Sequence, residues 1–286
     1  MRSLLITATS KRLKTSITET TILKITFYGY NAFIIEAAGK KIAIDPGALL
    51  LYYFRMTTLI PEREWKDISH IFVTHGDPDH YWHADRVAQA SNAPVIFNKS
   101  MVREVDGKSL ALGPRDKGVA FTTEFKRYFT VDVDEEIVVD DVTVKGIKTT
   151  HGPLKIRIGP ISKTVTAGPD ERVGWGAIGF SIKFAGITIV NLGDTLLHSE
   201  EWKQIEKPDV LMVPIGGGSI HNTMDENEAV EAVKIIQPKL VIPCHYNCPV
   251  FFIRKYNPAD DMRFKNDVIS AGYDCVVLKA NEALDL

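Results

Sequence analysis

Hydrophobic and polar positions alternate in short runs along most of the chain, a period typical of half-buried β-strands. Gly, Asn or Asp residues separate many of these runs and predict tight turns between them. The predicted strands cover residues 23–27, 32–36, 42–45, 71–74, 94–98, 136–139, 142–149, 178–184, 187–191 and 240–242. The pattern therefore predicts a β-rich fold that opens with a series of hairpins.

Helical patterns occur between some of these strands. A helix is predicted over residues 79–90, and a short one before residue 106. Asp225 and Glu228 form a variant of the capping box, and apolar residues follow at helical spacing until Pro238 ends the helix. Because strands and helices alternate through the middle of the chain, we expect sheets that are covered by helices.

The chain shows no internal repeat, low-complexity tract or dividing linker. Residues 1–22 are rich in Ser, Thr and Lys without a sustained period and are predicted to be an N-terminal extension. Residues 23–286 are predicted to form a single domain. The apolar run at residues 4–6 is too short for a signal peptide or a membrane span, so a cytoplasmic protein is expected.

Composition narrows the class of protein further. A chain of 286 residues with 45% hydrophobic and 24% charged residues is typical of globular proteins and unlike disordered ones. The formal net charge of −2 provides no basic footprint for nucleic acid. The three cysteines are an odd number and form no CxxC pair, which supports neither a disulfide framework nor a zinc knuckle and fits a reducing compartment.

Histidine and aspartate side chains follow several predicted strands, at the point where each strand ends. The run Thr74-His75-Gly76-Asp77-Pro78-Asp79-His80 places two imidazoles and two carboxylates directly after an apolar strand. His151, Asp194 and His245 each close another β-like run. Such groups are costly to bury unless something binds between them. The recurrence predicts a site for divalent metal.

These motifs and their order resemble the metallo-β-lactamase superfamily. His75-x-Asp77-x-Asp79-His80 stands where the family has its HxHxDH motif, and residues 42–46, 193–195 and 243–246 resemble further family motifs. The stretch 213–247 is similar to the branch that contains ascorbate-6-phosphate lactonase. The resemblance implies an α+β fold: an αββα four-layer sandwich of two mixed β-sheets flanked by helices, with metal along one edge.

The same resemblance implies a set of ligands for one or two divalent ions, which would be zinc, manganese or iron. The implied first site comprises His75, Asp77 and His151, the second comprises Asp79, His80 and His245, and Asp194 would bridge them. Asp45 would hold the ligand loop in place from behind the ligands.

Asp77 departs from the family pattern, which normally has a histidine at this position. A carboxylate is a harder ligand and shifts the preference from zinc toward manganese or iron. The alternative is that Asp77 is an ordinary turn residue before Pro78 and that the first metal site is weak or empty. Tyr30 also stands where the branch usually has a histidine, so the substrate environment is expected to differ.

Metal-dependent hydrolysis is the function that these residues favour. A metal-bound hydroxide would attack a small, anionic ester, lactone or phosphodiester. Asp79 is expected to orient the nucleophile and to accept its proton. His221, after the glycine-rich run 216–220, is expected either to stabilise developing charge or to be a solvated loop residue.

Four further residues are candidates for roles around the metal. Lys155 and Arg157 belong to a basic segment, residues 152–174, that would form a lid and meet an anionic substrate. His83 lies one helical turn after His80, and Tyr246 follows His245. Each has an ordinary alternative, as an exposed loop charge or as a packed structural residue.

Other classes of function stay open at this stage. The superfamily contains nucleases and phosphodiesterases, although the chain lacks a basic excess. A non-catalytic ligand-binding or sensing protein would follow if Asp77 has degraded the metal site, and a di-iron redox protein is the remaining alternative. The expected partner is a small-molecule substrate, with no nucleic acid and no membrane, and a homo-oligomer is expected because relatives in this branch are often oligomeric.

Overall fold

The computed structural model describes residues 22–52, 55–105, 108–112, 122–123, 125–158, 161–168, 173–218, 221–250 and 253–286. The predicted N-terminal extension thus lies outside the described residues, except for Ile22. The strands are, in chain order, β1 (Lys24–Phe27), β2 (Phe33–Ala37), β3 (Lys40–Ile44), β4 (Ala48–Tyr52), β5 (Arg55–Thr58), β6 (His70–Phe72), β7 (Val95–Asn98), β8 (Val102–Val105), β9 (Lys108–Leu112), β10 (Thr122–Thr123), β11 (Tyr128–Val131), β12 (Glu136–Val139), β13 (Val142–Ile147), β14 (Leu154–Ile158), β15 (Ile161–Val165), β16 (Gly179–Phe184), β17 (Ile187–Asn191), β18 (Val210–Pro214), β19 (Leu240–Cys244), β20 (Cys248–Val250), β21 (Ile253–Tyr256), β22 (Asp274–Cys275) and β23 (Glu282–Asp285). The α-helices are α1 (Pro78–Tyr81), α2 (Ala84–Ser91), α3 (Glu226–Ile236) and α4 (Asp261–Ser270), and short 3-10 helices occur at Glu62–Glu64, Lys99–Met101 and Glu201–Gln204.

Two seven-stranded mixed sheets organise the part of the chain that the structure describes. The first has the order β11-β7-β6-β3-β2-β1-β23 and the second has the order β12-β13-β16-β17-β18-β19-β22. In each sheet one half is antiparallel, β3-β2-β1-β23 or β12-β13-β16-β17, and the other half is parallel. The last strand, β23, pairs with the first, β1, and thereby brings both ends of the described chain into one sheet.

The main core lies between the two sheets. Alternate side chains of both sheets point into this layer, as the period-2 pattern predicts. Phe72 of β6 and Phe180 of β16 meet there in a T-shaped contact with ring centroids 5.2 Å apart, and both side chains are fully buried. Burial of such side chains stabilises the fold by roughly 1.5–3 kcal/mol each.

Helices cover the outer face of each sheet. Ala84 and Val87 of α2 pack on the first sheet against residues such as Ile71. On the second sheet, α3 and α4 pack with buried residues that include Val233 and Phe264. The four layers confirm the predicted αββα sandwich. No helix among the described residues is long and apolar enough to cross a membrane.

Two helix predictions were wrong in detail. The helix predicted over residues 79–90 is divided into α1 and α2, because the His83 N–H donates to the carbonyl of Pro46 at 3.0 Å rather than to the carbonyl one turn earlier. That earlier carbonyl, of Asp79, lies against Gly47 so closely that a Cβ there would come within 1.8 Å of it. The short helix predicted before residue 106 is one 3-10 turn followed by β8.

Candidate metal centre

Five strands end at the same edge of the sandwich, and they supply candidate ligands together with Asp45, which lies behind those ligands. Asp45 follows β3 and His75 follows β6, and these two strands are parallel neighbours. His151, Asp194 and His245 follow β13, β17 and β19, which run in one direction in the second sheet. The carboxyl ends of these strands therefore bring side chains that are more than 150 residues apart in sequence into one cluster.

His75, Asp77 and His151 form one group of the cluster. Oδ2 of Asp77 lies 3.4 Å from Nε2 of His75 and 3.5 Å from Nε2 of His151. The N–H of Gly174 donates to both carboxylate oxygens of Asp77, at 3.2 and 3.1 Å. This backbone donor directs the carboxylate toward the two imidazoles, as a ligand role would require.

Asp79, His80 and His245 form the second group. Oδ2 of Asp79 lies 3.6 Å from Nε2 of His80 and 3.4 Å from Nε2 of His245. The rings of His80 and His245 are stacked with centroids 5.2 Å apart. Both histidines are buried, whereas the Asp79 side chain is 11% exposed.

Asp194 lies between the two groups. Its Oδ2 is 3.5 Å from Nε2 of His151, 3.8 Å from Nε2 of His80 and 3.1 Å from Nε2 of His245. One carboxylate oxygen thus faces histidines of both groups. This is the placement that the bridging role predicts.

Hydrogen bonds from behind fix the orientation of His80 and His75. Oδ2 of Asp45 accepts from Nδ1 of His80 at 2.7 Å and from the hydroxyl of Thr74 at 2.6 Å. Because that hydroxyl donates to Asp45, it is free to accept from Nδ1 of His75, 3.1 Å away. In both rings the Nδ1 proton is therefore committed, and the Nε2 lone pair faces the cluster.

The other two rings are also held at Nδ1. Nδ1 of His151 donates to the carbonyl of Gly152 at 2.6 Å. Nδ2 of Asn257 lies 2.8 Å from Nδ1 of His245, and a 180° flip of this amide brings its buried, unpartnered Oδ1 to the same position, where it accepts the Nδ1 proton and leaves Nε2 free. A histidine that binds metal through Nε2 commonly has such an outer partner at its other nitrogen.

The electrostatics of the cluster favour positive charge within it. Burial alone would raise the pKa of Asp79, but His80 and His245 outweigh it and lower that pKa to about 2. Burial alone would lower the pKa of His80, but Asp79, Asp194 and Asp45 outweigh it and raise that pKa to about 10. The carboxylates thus provide a potential that stabilises a proton on imidazole or, in its place, a metal cation.

The donor set fits divalent metal. Nε2 of His75, Nε2 of His80 and Oδ1 of Asp194 are buried without a hydrogen-bond partner, which is costly unless a cation is bound there. Two ligand atoms about 2.1 Å from one tetrahedral ion lie about 3.4 Å apart. The separations of 3.4 and 3.5 Å around Asp77, and of 3.4 and 3.6 Å around Asp79, match this spacing.

Residues 24–245 match the family model of the beta-lactamase superfamily domain. The chain belongs to the metallo-β-lactamase superfamily. It is 31% identical over 272 residues to a UPF0173 metal-dependent hydrolase from Pyrococcus abyssi, covering 93% of this chain and 100% of the relative. A second UPF0173 metal-dependent hydrolase, from Alkaliphilus metalliredigens, is 30% identical over 226 residues, covering 79% of this chain and 86% of the relative.

A solved structure supports the fold of this superfamily member independently. Igni18, a metallo hydrolase from Ignicoccus hospitalis, superposes with a TM-score of 0.67 at 23% identity, covering 93% of this chain and 99% of that one. With relatives named as metal-dependent hydrolases, the protein is a metal-dependent hydrolase of the UPF0173 family.

The loop that carries His221 contacts the cluster of this hydrolase through its backbone. The N–H of Gly152, next to His151, donates to the carbonyl of Asn222 at 2.7 Å. A Cβ on Gly152 would come within 2.0 Å of the carbonyl oxygen of His221. The His221 residue itself is exposed and has a positive φ of 59°. The loop is therefore beside the metal centre, with its histidine open to solvent.

The basic segment after His151 contains the hairpin of β14 and β15. In its register Lys155 is opposite Thr164, and Lys163 is opposite Ile156. Lys155 and Arg157 therefore share one face of the hairpin, and Lys163 belongs to the other face. Arg172, the remaining cation of the predicted lid, lies outside the described residues.

His83 and Tyr246 each pack against apolar or aromatic neighbours. The buried ring of His83 contacts Trp65, with ring centroids 6.2 Å apart. Tyr246 packs against the outer cluster that contains α3 and α4. Burial, with Asp261 nearby, raises the pKa of Tyr246. Their roles around the metal stay a prediction.

Three residues near the cluster escaped the sequence analysis. Burial and the carboxylates of Asp79, Asp194 and Asp77 raise the pKa of Tyr256. Asn31 and Asn191 are fully buried behind Asp45. The only sequence signal for Asn191 is an amide at the end of an apolar strand.

Proposed function

We propose that this hydrolase cleaves a small, anionic ester, lactone or phosphodiester with two divalent ions at the carboxyl edge of the sandwich. The proposed ligands are His75, Asp77 and His151 for one ion and Asp79, His80 and His245 for the other, with Asp194 as the bridge. A lactone substrate would agree with the proposed similarity to the ascorbate-6-phosphate lactonase branch.

The observation that carries the proposal is the spacing within the cluster. Four imidazole nitrogens face three carboxylates, with separations of 3.1 to 3.8 Å across the contacts around Asp77, Asp79 and Asp194. Most of these distances are too long for strong hydrogen bonds and suitable for ligands that share an ion. With neutral imidazoles the set carries three negative charges, which two divalent cations would offset.

When bound, a divalent ion lowers the pKa of water from 15.7 to about 7 and polarises the oxygen of the scissile group. The residues of the chain then have separate tasks. Asp79, partly open to solvent, orients the attacking water and accepts its proton. Asp45 keeps the ring of His80 in the tautomer that exposes Nε2. His221, in the loop beside His151, stabilises negative charge that develops on the substrate.

Asp77 supports a preference for manganese or iron over zinc. With Asp77 and the bridging Asp194, the first site has two carboxylates beside its two imidazoles. Hard oxygen ligands of this kind favour manganese and iron. The Gly174 N–H holds Asp77 in ligand position, which argues for an intact first site rather than a degraded one.

Elemental analysis of protein purified without chelator tests the metal centre. We expect two ions per chain, with manganese or iron as the main metal. Asp77→His should retain two ions and shift the content toward zinc, whereas Asp77→Ala should reduce it to one ion. One ion or none in the parent protein, restored to two by Asp77→His, would contradict the proposal and favour the sensing alternative.

The faces of the β14–β15 hairpin allow a controlled test of substrate charge. We expect Lys155→Ala and Arg157→Ala to raise KM for an anionic ester by about 5-fold or less, because an ion pair in contact with solvent contributes about 1 kcal/mol or less. Lys163→Ala, on the opposite face, is the matched control and should leave KM unchanged. Equal effects of all three variants, or greater activity on neutral esters, would refute an anionic substrate bound at this face.

The partner predictions are tested with the same samples. Salt-dependent binding of an oligonucleotide would favour the nuclease alternative over a small-molecule substrate. Light scattering measures the expected homo-oligomer.

A further inference from the structure

Two buried amides form a closed pair directly behind the metal cluster. Nδ2 of Asn31 donates to Oδ1 of Asn191 at 3.0 Å, and Nδ2 of Asn191 donates back to Oδ1 of Asn31 at 3.0 Å. Asn31 lies in the turn between β1 and β2 of the first sheet, and Asn191 is the last residue of β17 in the second. The pair thus connects the two sheets at the edge that carries the ligands.

Each amide also contacts a segment that enters the cluster. Nδ2 of Asn31 donates its other proton to Oδ2 of Asp45 at 2.7 Å, and the thiol of Cys244 donates to Oδ1 of Asn31 at 3.2 Å. Oδ1 of Asn191 accepts from the N–H of Gly193 at 2.9 Å. These bonds reach three segments of the cluster. Asp45 is the partner of His80, Gly193 precedes the bridging residue Asp194, and Cys244 precedes His245.

The hydrogen-bonding capacity of both amides is fully used. Asn31 donates twice and accepts twice, and Asn191 does the same, since its Nδ2 also contacts the sulfur of Met212 at 3.5 Å. Both side chains have no solvent-exposed surface. A buried polar network with every member satisfied fixes one geometry, because any rotation leaves donors and acceptors without partners.

We propose that Asn31 and Asn191 are positioning residues that hold Asp45 and the Gly193–Asp194 turn at a fixed separation and thereby keep both halves of the metal centre in register. The inference rests on the proposed metal ligands. Asp45 orients His80 through a 2.7 Å bond, so a shift of Asp45 displaces one ligand. Gly193 immediately precedes Asp194, so loss of its acceptor releases the bridge.

The neutrality of the pair suits this task. An amide donates to Asp45 without adding charge beside the cluster, whereas a lysine or arginine at this position would compete electrostatically with the metal. Its reciprocal bonds also make the two side chains act as a unit. Removal of either should therefore release the other.

Metal titration of the apoprotein tests the inference with Asn31→Ala, Asn191→Ala and the double variant. We expect each single variant to bind Mn²⁺ about 10- to 100-fold more weakly, the usual effect of losing a partner behind a ligand. The double variant should bind no more weakly than the weaker single variant, because the pair acts as a unit. Additive losses would overturn the reciprocal pair.

The control separates positioning from simple destabilisation. Ile189→Ala lies two residues earlier on β17, in the core between the sheets, and should lower the melting temperature without weakening Mn²⁺ binding. Asn191→Leu, which fills the volume and removes the polar contacts, is measured alongside in case the alanine variant fails to fold. If Asn191→Leu and Ile189→Ala bind Mn²⁺ equally well, the positioning role is wrong.

Metal binding by the parent protein distinguishes a failure of the proposed function from a failure of the proposed role of the asparagine pair. A parent that binds no divalent ion would refute the proposed function itself. A parent that binds two ions, together with asparagine variants that bind them as tightly, would refute only the role of the pair.

Discussion

Replacement of Gly174 by alanine should weaken metal binding selectively, with Gly176→Ala as the matched control. Both glycines have left-handed backbone angles, with φ of 68° and 66°. An alanine in this region costs about 1–2 kcal/mol, so the backbone penalty is the same for both variants. The variants differ in what the new methyl group meets.

At Gly174 the added Cβ would lie 2.2 Å from Cβ of His151, whereas at Gly176 it would lie 2.2 Å from Cγ of Met101. An ordinary contact begins at 3.4 Å, so His151 must withdraw by about 1.2 Å. Metal coordination tolerates about 0.2 Å. Met101 adapts by changing rotamers, because methionine is flexible and lies outside the ligand cluster.

Urea unfolding of the metal-free variants and Mn²⁺ titration of the folded ones measure the two effects separately. We expect similar losses of unfolding free energy, and a loss of metal affinity of at least about 100-fold for Gly174→Ala alone, because a ligand and not an outer partner is displaced. Equal metal affinity of Gly174→Ala and Gly176→Ala would refute the placement of His151 as a ligand.

Four further outcomes are expected. Phe180→Ala should lower the unfolding free energy by about 3–5 kcal/mol in urea denaturation, because it empties the core between the sheets. Asp225→Ala should cost about 0.5–2 kcal/mol in the same assay, since Asp225 caps α3 by accepting two backbone N–H groups, while Glu231→Ala on the exposed face of α3 should cost less. Burial lowers the pKa of His70 in the folded protein, so the unfolded chain binds a proton more readily and the free energy of unfolding falls as the pH drops below the ordinary value of 6.5. His70→Gln should therefore lose less unfolding free energy than the parent between pH 8 and pH 5. Removal of metal with a chelator should lower the melting temperature, and Mn²⁺ should restore it; an unchanged melting temperature would contradict a bound metal.

The sequence by itself predicted ten of the fourteen strands in the two large sheets and the order of the candidate ligands, but it missed β11, β18, β22 and β23. Alternating apolar positions in β13 and β16 report a local preference, since a strand with one face toward a core needs a period of two. The capping residue Asp225 likewise marked the start of α3 before any contact was known. The carboxylates and imidazoles at strand ends predicted a metal centre, because such groups are costly to bury together unless a cation binds between them.

The tertiary structure alone decided how these residues meet. The division of the helix before His83 depends on a carbonyl of Pro46, and the direction of the Asp77 carboxylate depends on the N–H of Gly174. The pairing of Asn31 with Asn191 joins residues 160 positions apart. No local period encodes such contacts, because they arise only when the two sheets pack and the cost of burying each polar group selects the partner that satisfies it.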